Sequence, residues 1–223
     1  MLLLRASVFF LSFASIVYEL LLGQALSAFF GNTVLRYSVS VGLYLLSMGV
    51  ASFCCASFLL KRAYASLLLA ELFLVLLGAS SVIVLHYANV LLSPLLFFAV
   101  AHLLIVAIGF LSGLELPLLV ELHPSGRSSE FLCINYIAAF CGTLCFALLF
   151  YKSFGLMATA FAVALLNSSI ALLLAFFYRA RLRDSSFAVL RFLHISLFAL
   201  LSLALIYVGE IDAHYVSLYL GHS

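Results

Sequence analysis

The chain is built from long apolar runs separated by short polar breaks. Apolar stretches of about 20 residues or more recur along its length, and most charged residues fall between them. A helix of about 20 apolar residues spans the hydrocarbon core of a bilayer. The pattern therefore predicts about seven transmembrane helices, with approximate bounds 3–29, 34–60, 63–85, 90–120, 131–151, 156–177 and 187–208.

The continuity of the runs selects helices over strands. Strands of a membrane barrel alternate apolar and polar positions, whereas these runs stay apolar at consecutive positions. Composition agrees, because 67% of the chain is hydrophobic and 8% is charged. We therefore expect an all-α, polytopic transmembrane helical bundle over residues 1–208, followed by a short C-terminal tail over 209–223. Arg5 and the following run also fit a signal peptide, but the length of the run and Glu19 inside it favour a retained helix.

The basic residues set the expected orientation. Seven spans put most of them on the side of the N-terminus, and only Arg36 and Lys152 on the other. The N-terminal side holds Arg5, Lys61, Arg62, Arg127, Arg179, Arg181 and Arg183, with Arg191 just inside span seven. The positive-inside rule then predicts a multi-pass protein of the inner (plasma) membrane, with its N-terminus in the cytoplasm and its C-terminus outside.

Several chemistries have no sequence support. The net charge is +2, and no basic stripe indicates nucleic-acid binding. The five cysteines form no Cys-x-x-Cys pair and have no histidine at ligand spacing, so we expect no metal and no cofactor. No nucleophile elbow, phosphate loop or dinucleotide motif occurs, so no residue is assigned a catalytic role.

Acidic residues inside the apolar runs are the main functional candidates, because burying them in lipid is costly. Glu19 falls near the middle of span one, where Tyr44 and Ser47 of span two are expected at a similar depth as hydrogen-bond partners. Either Glu19 fixes helix packing through such bonds, or it forms a proton or cation site. Glu71 lies nearer an end of its span, and we expect a structural role for it.

Glu115 lies in a motif that combines close packing with a helix kink. Gly109 and Gly113 form a GxxxG face that lets another helix approach. Pro117 removes a backbone donor and frees the carbonyl of Gly113 beside Glu115. A free carbonyl next to a carboxylate is one way in which membrane proteins build cation sites. The alternative is a packing kink near the cytoplasmic surface with Glu115 in water.

We expect any small-molecule site to lie between spans one, two, four and five. Its residues would be Glu19, Tyr44, Glu115, Asn135 and Tyr136, with Gly109, Gly113 and Gly142 letting the backbones converge. Carboxylates with amide and phenol neighbours suit a cation or an amine. If Glu19 and Glu115 lie at different depths, they mark two stations of a path. Asn167, in span six, is expected to hold helices together.

Several of these motifs, in this order, resemble the membrane domain of membrane-bound spermidine synthase-like (aminopropyltransferase) proteins. The resemblance covers nearly the whole chain and is carried by IVYELLLG (16–23), FGNTV (30–34), SMGVASF (47–53), GFLSGLELPL (109–118), NYIAAFCG (135–142) and SFGL (153–156). It implies a seven-helix membrane domain followed, in that family, by a soluble aminopropyltransferase domain. The family usually has an Asp-Tyr pair where this chain has Asn135 and Tyr136.

The resemblance shapes the expected function. The tail from Glu210 resembles a linker and first strand leading into a synthase domain, whose cofactor loop would lie beyond Ser223. We therefore expect a membrane module of a spermidine synthase-like system that is not catalytic alone. It would act as an anchor, a partner-binding subunit or a passage for a small cation, with a soluble synthase-like partner or a second copy of the chain. The alternative is a stand-alone transporter of a polyamine or similar solute.

Overall fold

The computed structural model describes residues 2–31, 33–55, 57–123, 128–177 and 185–221. In this part of the chain all regular structure is helical. The helices are α1 (Leu2–Phe30), α2 (Thr33–Cys54), α3 (Ser57–Lys61), α4 (Ala63–Leu91), α5 (Pro94–Leu122), α6 (Ser128–Cys145), a π-helix (Phe146–Phe154), α7 (Gly155–Phe177), α8 (Ser185–Ile206) and α9 (Val208–Gly221).

Six helical stretches of the described residues are long and apolar enough to cross a membrane. They are Leu2–Phe30, Val34–Cys54, Ala63–Leu91, Pro94–Leu122, Ser128–Phe177 and Ala188–Ile206. The fifth stretch has 50 residues and contains Gly155, whose φ of 73° lies in the left-handed region that favours glycine. These stretches are consistent with a multi-pass membrane protein.

The distribution of side chains is that of a protein whose solvent is lipid. Large apolar side chains such as Phe53, Leu95 and Phe177 are exposed on the outside of the bundle. The interior holds, besides a leucine-rich core, a set of buried serines and three buried glutamates, Glu19, Glu71 and Glu115. The apolar side chains on the outside suit contact with lipid, and the polar side chains lie where helices meet.

Helix α1 is the centre of the bundle. It packs against α2, α4, α5, α6 and α7, and its residues around Tyr18 are enclosed from several directions. Helices α2 and α5 form a second extensive contact, and α4 packs on both α5 and α7. Any polar side chain on α1, α4 or α5 therefore projects into an interface between helices.

Glycines set the closest approaches between these helices. A Cβ at Gly109 would lie 2.9 Å from the carbonyl oxygen of Tyr44, and one at Gly113 would overlap the backbone of Met48, so α5 meets α2 backbone to backbone. Gly142 brings α6 equally close to the Phe13 backbone of α1. Close approach of this kind is what small residues allow in membrane bundles.

The turn between α4 and α5 differs from the expected one. The sequence pattern ended the third span at 85 and began the fourth at 90, but α4 continues to Leu91 and α5 begins at Pro94. His86 lies within α4, and its ring nitrogen Nδ1 is 2.7 Å from the carbonyl oxygen of Val82. Pro94 starts the next helix because its fixed φ suits the first turn.

The tail also differs from its expected form. The resemblance suggested a linker and a strand after residue 208, whereas the chain forms helix α9 from Val208 to Gly221. Tyr215 of α9 packs against Tyr87 and His86 at the end of α4. These aromatic contacts hold the tail on the bundle as a helix.

Candidate functional site

A cluster of hydroxyl groups joins α1, α2 and α5 in the middle of the bundle. The buried Tyr44 Oη lies 2.9 Å from Ser112 Oγ, 3.1 Å from the carbonyl oxygen of Ser15 and 3.2 Å from Ser15 Oγ. The single phenol proton can point to any one of these oxygens, and the serine hydroxyls can donate in return. Because Gly109 has no side chain, the backbone of Tyr44 on α2 can lie directly against α5.

Two buried carboxyl groups meet between α4 and α5. Glu71 is fully buried and Glu115 is 4% exposed. Their side chains are within hydrogen-bonding reach of each other. Among the described residues, no N–H or hydroxyl group donates to either oxygen of Glu71 or to Oε1 of Glu115. Each carboxyl therefore depends on the other for its polar contact.

The position of this pair follows from the α4–α5 turn. Glu71 lies 20 residues before Leu91, and Glu115 lies 21 residues after Pro94. Two antiparallel helices joined by a short turn bring positions equally far from the turn to the same depth, here about 30 Å along each helix. The pair is thus about 10–12 Å from the other end of each helix.

Tyr18 of α1 adds a third polar group to the pair. Its side chain is fully buried and within electrostatic reach of Glu71, Glu115 and Tyr44. Gly78 of α4 accommodates the ring, because a Cβ there would overlap it. The hydroxyl has no hydrogen-bond partner among the described residues. Tyr18 therefore brings an unsatisfied donor and acceptor to the α1–α4–α5 interface.

Asn167 of α7 lies at the depth of Glu71. Tyr64 of α4 donates to the carbonyl oxygen of Leu174 at 3.1 Å, which ties the start of α4 to the end of α7. Glu71 lies seven residues after Tyr64, and Asn167 seven residues before Leu174, so the antiparallel helices bring both to one level. Asn167 is fully buried, and neither of its amide atoms has a partner in the described part of the chain.

Glu19 occupies a separate position farther along α1. It lies 14 residues after Arg5, about 21 Å along the helix, and is 5% exposed. Its electrostatic neighbours are Tyr37, whose ring packs on Gly23 one turn away, and Tyr44. Tyr44 also interacts with Glu115, so it stands between the two acidic positions. Glu19 and Glu115 therefore lie at different depths.

The expected hydrogen bonds to Glu19 are not formed. Tyr44 directs its hydroxyl to Ser15 and Ser112, and Ser47 donates to the carbonyl oxygen of Val106 at 2.6 Å. The physical reason is the close contact of α2 with α5, which draws both hydroxyls toward α5. The carbonyl of Gly113, freed by Pro117, accepts from Ser52 of α2 at 2.8 Å, so it too serves that contact.

Asn135 and Tyr136 differ in their position relative to the buried acids. Asn135 is half-buried on α6, which packs on α1. Tyr136 is 70% exposed and points away from the bundle. Phe131, Ala138 and Gly142 form the buried face of α6, and Tyr136 lies on the opposite one. Tyr136 is therefore outside the cluster.

Glu71 is not among the residues that the sequence predicted for the site. Glu71 and Glu115 lie equally far from the α4–α5 turn. The turn predicted from the sequence came several residues too early, so the equal depth of the two acids could not be recognised. The same geometry places Tyr18, next to Glu19 in sequence, on a different face of α1, toward α4. Within the described residues, no three His, Cys, Asp or Glu side chains form a metal-binding group.

A cavity of about 280 Å³ lies at the opposite end of α4 from Tyr64. It is bounded by His86 of α4, by Gly155 and Leu156 in the first turn of α7, and by Asp212 of α9. The cavity confirms that α4 and α7 are antiparallel. It also places an acidic side chain at the end of the bundle toward which Glu19 lies.

Three relatives of this chain carry the name polyamine aminopropyltransferase. The protein of Leptospira interrogans is 34% identical over 175 residues, which are 76% of this chain and 34% of that protein. Polyamine aminopropyltransferase 2 of Aquifex aeolicus is 35% identical over 205 residues, 89% of this chain and 40% of its own length. Polyamine aminopropyltransferase 1 of Streptomyces coelicolor is 32% identical over 173 residues, 74% of this chain and 32% of its own.

The chain thus spans about a third of the length of the curated relatives that it matches. No protein-family model matches it, and no solved structure does.

Removal of one phenol oxygen tests the hydroxyl cluster. We expect Tyr44→Phe to lower the free energy of unfolding by about 1–2 kcal/mol, because buried hydroxyls of Ser15 and Ser112 lose their partner. Tyr136→Phe is the matched control and should change it by less than about 0.5 kcal/mol. Reversible unfolding in mixed micelles measures both. Equal effects of the two substitutions would contradict the cluster.

Proposed function

We propose that this chain is the membrane-embedded module of a polyamine aminopropyltransferase-like system, and that its buried acids bind the positive charge of a small amine. The observation that carries the proposal is the burial of Glu19, Glu71 and Glu115 inside an apolar bundle. Among the described residues, none of these three forms a salt bridge. Buried acids of this kind are usually paired or serve an ion or substrate pathway.

The names of the relatives support the ligand class. Polyamines carry several ammonium groups, and an ammonium needs carboxylate or other oxygen acceptors. Among the three buried glutamates, Glu19 is the one that is not part of the Glu71–Glu115 pair. It lies within electrostatic reach of the phenols of Tyr37 and Tyr44, which offer oxygen acceptors and aromatic faces. Glu115 supplies a second station beyond Tyr44. Asn135, half-buried on the helix that packs on α1, borders the same region.

The proposed topology has seven spans. The 50-residue stretch Ser128–Phe177 would measure about 75 Å as one helix, more than twice the hydrocarbon thickness. We propose that it crosses twice and turns back at Gly155. The Arg5–Glu130 ion pair of 2.6 Å puts the starts of α1 and α6 on one side. Lys61 and Arg62 precede α4 on that side, which is therefore the cytoplasmic one.

Within this scheme the chain supplies the bilayer anchor and an amine site, while aminopropyl transfer takes place in a soluble synthase-like domain. That domain is either attached to the same polypeptide or carried by a partner subunit. The similarity to proteins named polyamine aminopropyltransferase supports the assignment to such a system.

A stand-alone transporter is the second candidate. The cavity beside Asp212 favours it, since this cavity lies at the end of the bundle opposite the Glu71–Glu115 pair. Acids at three depths would then form a file across the membrane. Uptake of a polyamine by vesicles that contain only this protein separates the two candidates, because an anchor with an amine site moves no net solute.

The topology gives one prediction. A fluorescent protein that folds only in the cytoplasm should stay dark when fused after Ser223, and alkaline phosphatase, active only outside, should be active there. An odd number of spans with a cytoplasmic N-terminus requires this result. The reverse pattern would show an even number of spans or the opposite orientation.

The amine site gives another prediction. In the purified protein in lipid nanodiscs, Glu19→Gln should weaken spermidine binding about ten- to a hundredfold, the loss expected for one charge-assisted hydrogen bond. Glu121→Gln, at the exposed end of α5, and Tyr136→Phe are controls that should bind like the parent. Isothermal titration calorimetry measures the affinity.

Two results of that titration would overturn the amine site. One is a parent protein that binds no polyamine at millimolar concentration. The other is a correctly folded Glu19→Gln variant that binds as tightly as the parent, because the acid would then have only a structural role.

A further inference from the structure

The Glu71–Glu115 pair has a geometry that the proposed amine site does not use. The two carboxyl groups are both buried, lie at the same depth on the packed helices α4 and α5, and are within hydrogen-bonding reach of each other. A hydrogen bond between two carboxyl groups requires a hydrogen atom on one of them, since a carboxylate only accepts. The contact therefore fits a proton as its occupant.

Electrostatics supports the same occupant. Two ionised carboxylates in contact inside a low-dielectric bundle repel each other strongly, and such pairs elsewhere share one proton. Among the described residues, the phenols within electrostatic reach of the pair, Tyr18 from α1 and Tyr44 from α2, bring no compensating charge. Asn167 of α7, which lies at the same depth, is also uncharged.

Basic groups lie farther away along the helices. His194 of α8 has its Nε2 3.0 Å from the carbonyl oxygen of Leu68, about one turn from Glu71. Arg191 is within electrostatic reach of Tyr64, at the start of α4. Lys61 ends the short helix α3 beyond that. Among the described residues, none of these forms a salt bridge with Glu71 or Glu115.

A second observation points to an exchangeable ligand. Tyr18 Oη and both amide atoms of Asn167 are fully buried without hydrogen-bond partners in the described residues. Unsatisfied groups of this kind cost free energy unless another state of the site uses them. The phenol of Tyr18 is within electrostatic reach of both acids, so its hydroxyl can donate to an oxygen that loses the proton.

We propose that Glu71 and Glu115 form a proton-binding site inside the bundle, in which the two carboxyl groups share one exchangeable proton. Release of that proton leaves two carboxylates, and the hydroxyl of Tyr18 then donates to one of them. The proposal goes beyond the amine site. Glu115 is common to both, but a shared proton does not require that an amine binds.

Infrared spectroscopy of the protein in lipid nanodiscs tests the proposal. At neutral pH the parent should show the C=O stretch of one protonated carboxyl assigned to the pair. The band should move when D₂O replaces water, because the proton exchanges. Labelling glutamate with ¹³C at the side-chain carboxyl should shift the band and exclude aspartate, without any substitution.

Variants assign the band. The double variant Glu71→Gln/Glu115→Gln should lose it, and each single variant should shift or remove it. Glu121→Gln should leave it unchanged, and Glu19→Gln should remove at most a separate band. If the double variant does not fold, the ¹³C-labelled Glu19→Gln variant decides, by whether a protonated glutamate is still present at neutral pH.

Three results would overturn the proposal. The first is a parent spectrum with only ionised glutamates at neutral pH. The second is a protonated band that is lost in Glu19→Gln and kept in the double variant. The third is a pair of carboxylate bands that respond to sodium, which would make the occupant a metal cation. Polyamine binding is not part of the readout, so failure here leaves the amine site standing.

Discussion

A carboxyl group inside a bilayer has no water to solvate it, and the interior of this bundle is organised around that constraint. Glu71 and Glu115 are buried where α4 and α5 pack, within reach of each other and of Tyr18 of α1. Tyr44 separates them from Glu19 and ties three helices through its hydroxyl. The polar groups thus form a file through an otherwise apolar protein, in which each member depends on a neighbour from a different helix.

Close helix packing is what makes this file continuous. Gly109 and Gly113 bring α5 against α2, and Gly78 gives the ring of Tyr18 room against α4. A larger side chain at any of these positions would displace a group of the file. The glycines therefore connect the packing of the bundle to its chemistry, because a hydroxyl or carboxyl reaches its partner only at this separation.

Helix class and the approximate spans could be predicted, since apolar runs of this length have few alternatives in any solvent. The buried polar side chains Glu19, Tyr44 and Glu115 could be named from the sequence, because acids and phenols stand out in apolar segments. Glu71 was missed because its depth depends on the turn, which lies at 92–93 and not near 88. Tyr136 was included in the predicted site because the sequence shows which span holds it but not which face of the helix it occupies. Rotation of α6 about its axis is set by contacts of Phe131 and Gly142 with other helices.

The central claim is that the buried acids are kept for binding and not for stability. The most direct test is the unfolding free energy of the double variant Glu71→Leu/Glu115→Leu, measured by reversible unfolding in mixed micelles. Replacing a buried polar pair by apolar side chains of similar volume is often neutral or stabilising. The account predicts a double variant as stable as the parent or more so. A loss of more than about 2 kcal/mol would show that the pair holds the fold together, and would contradict the account.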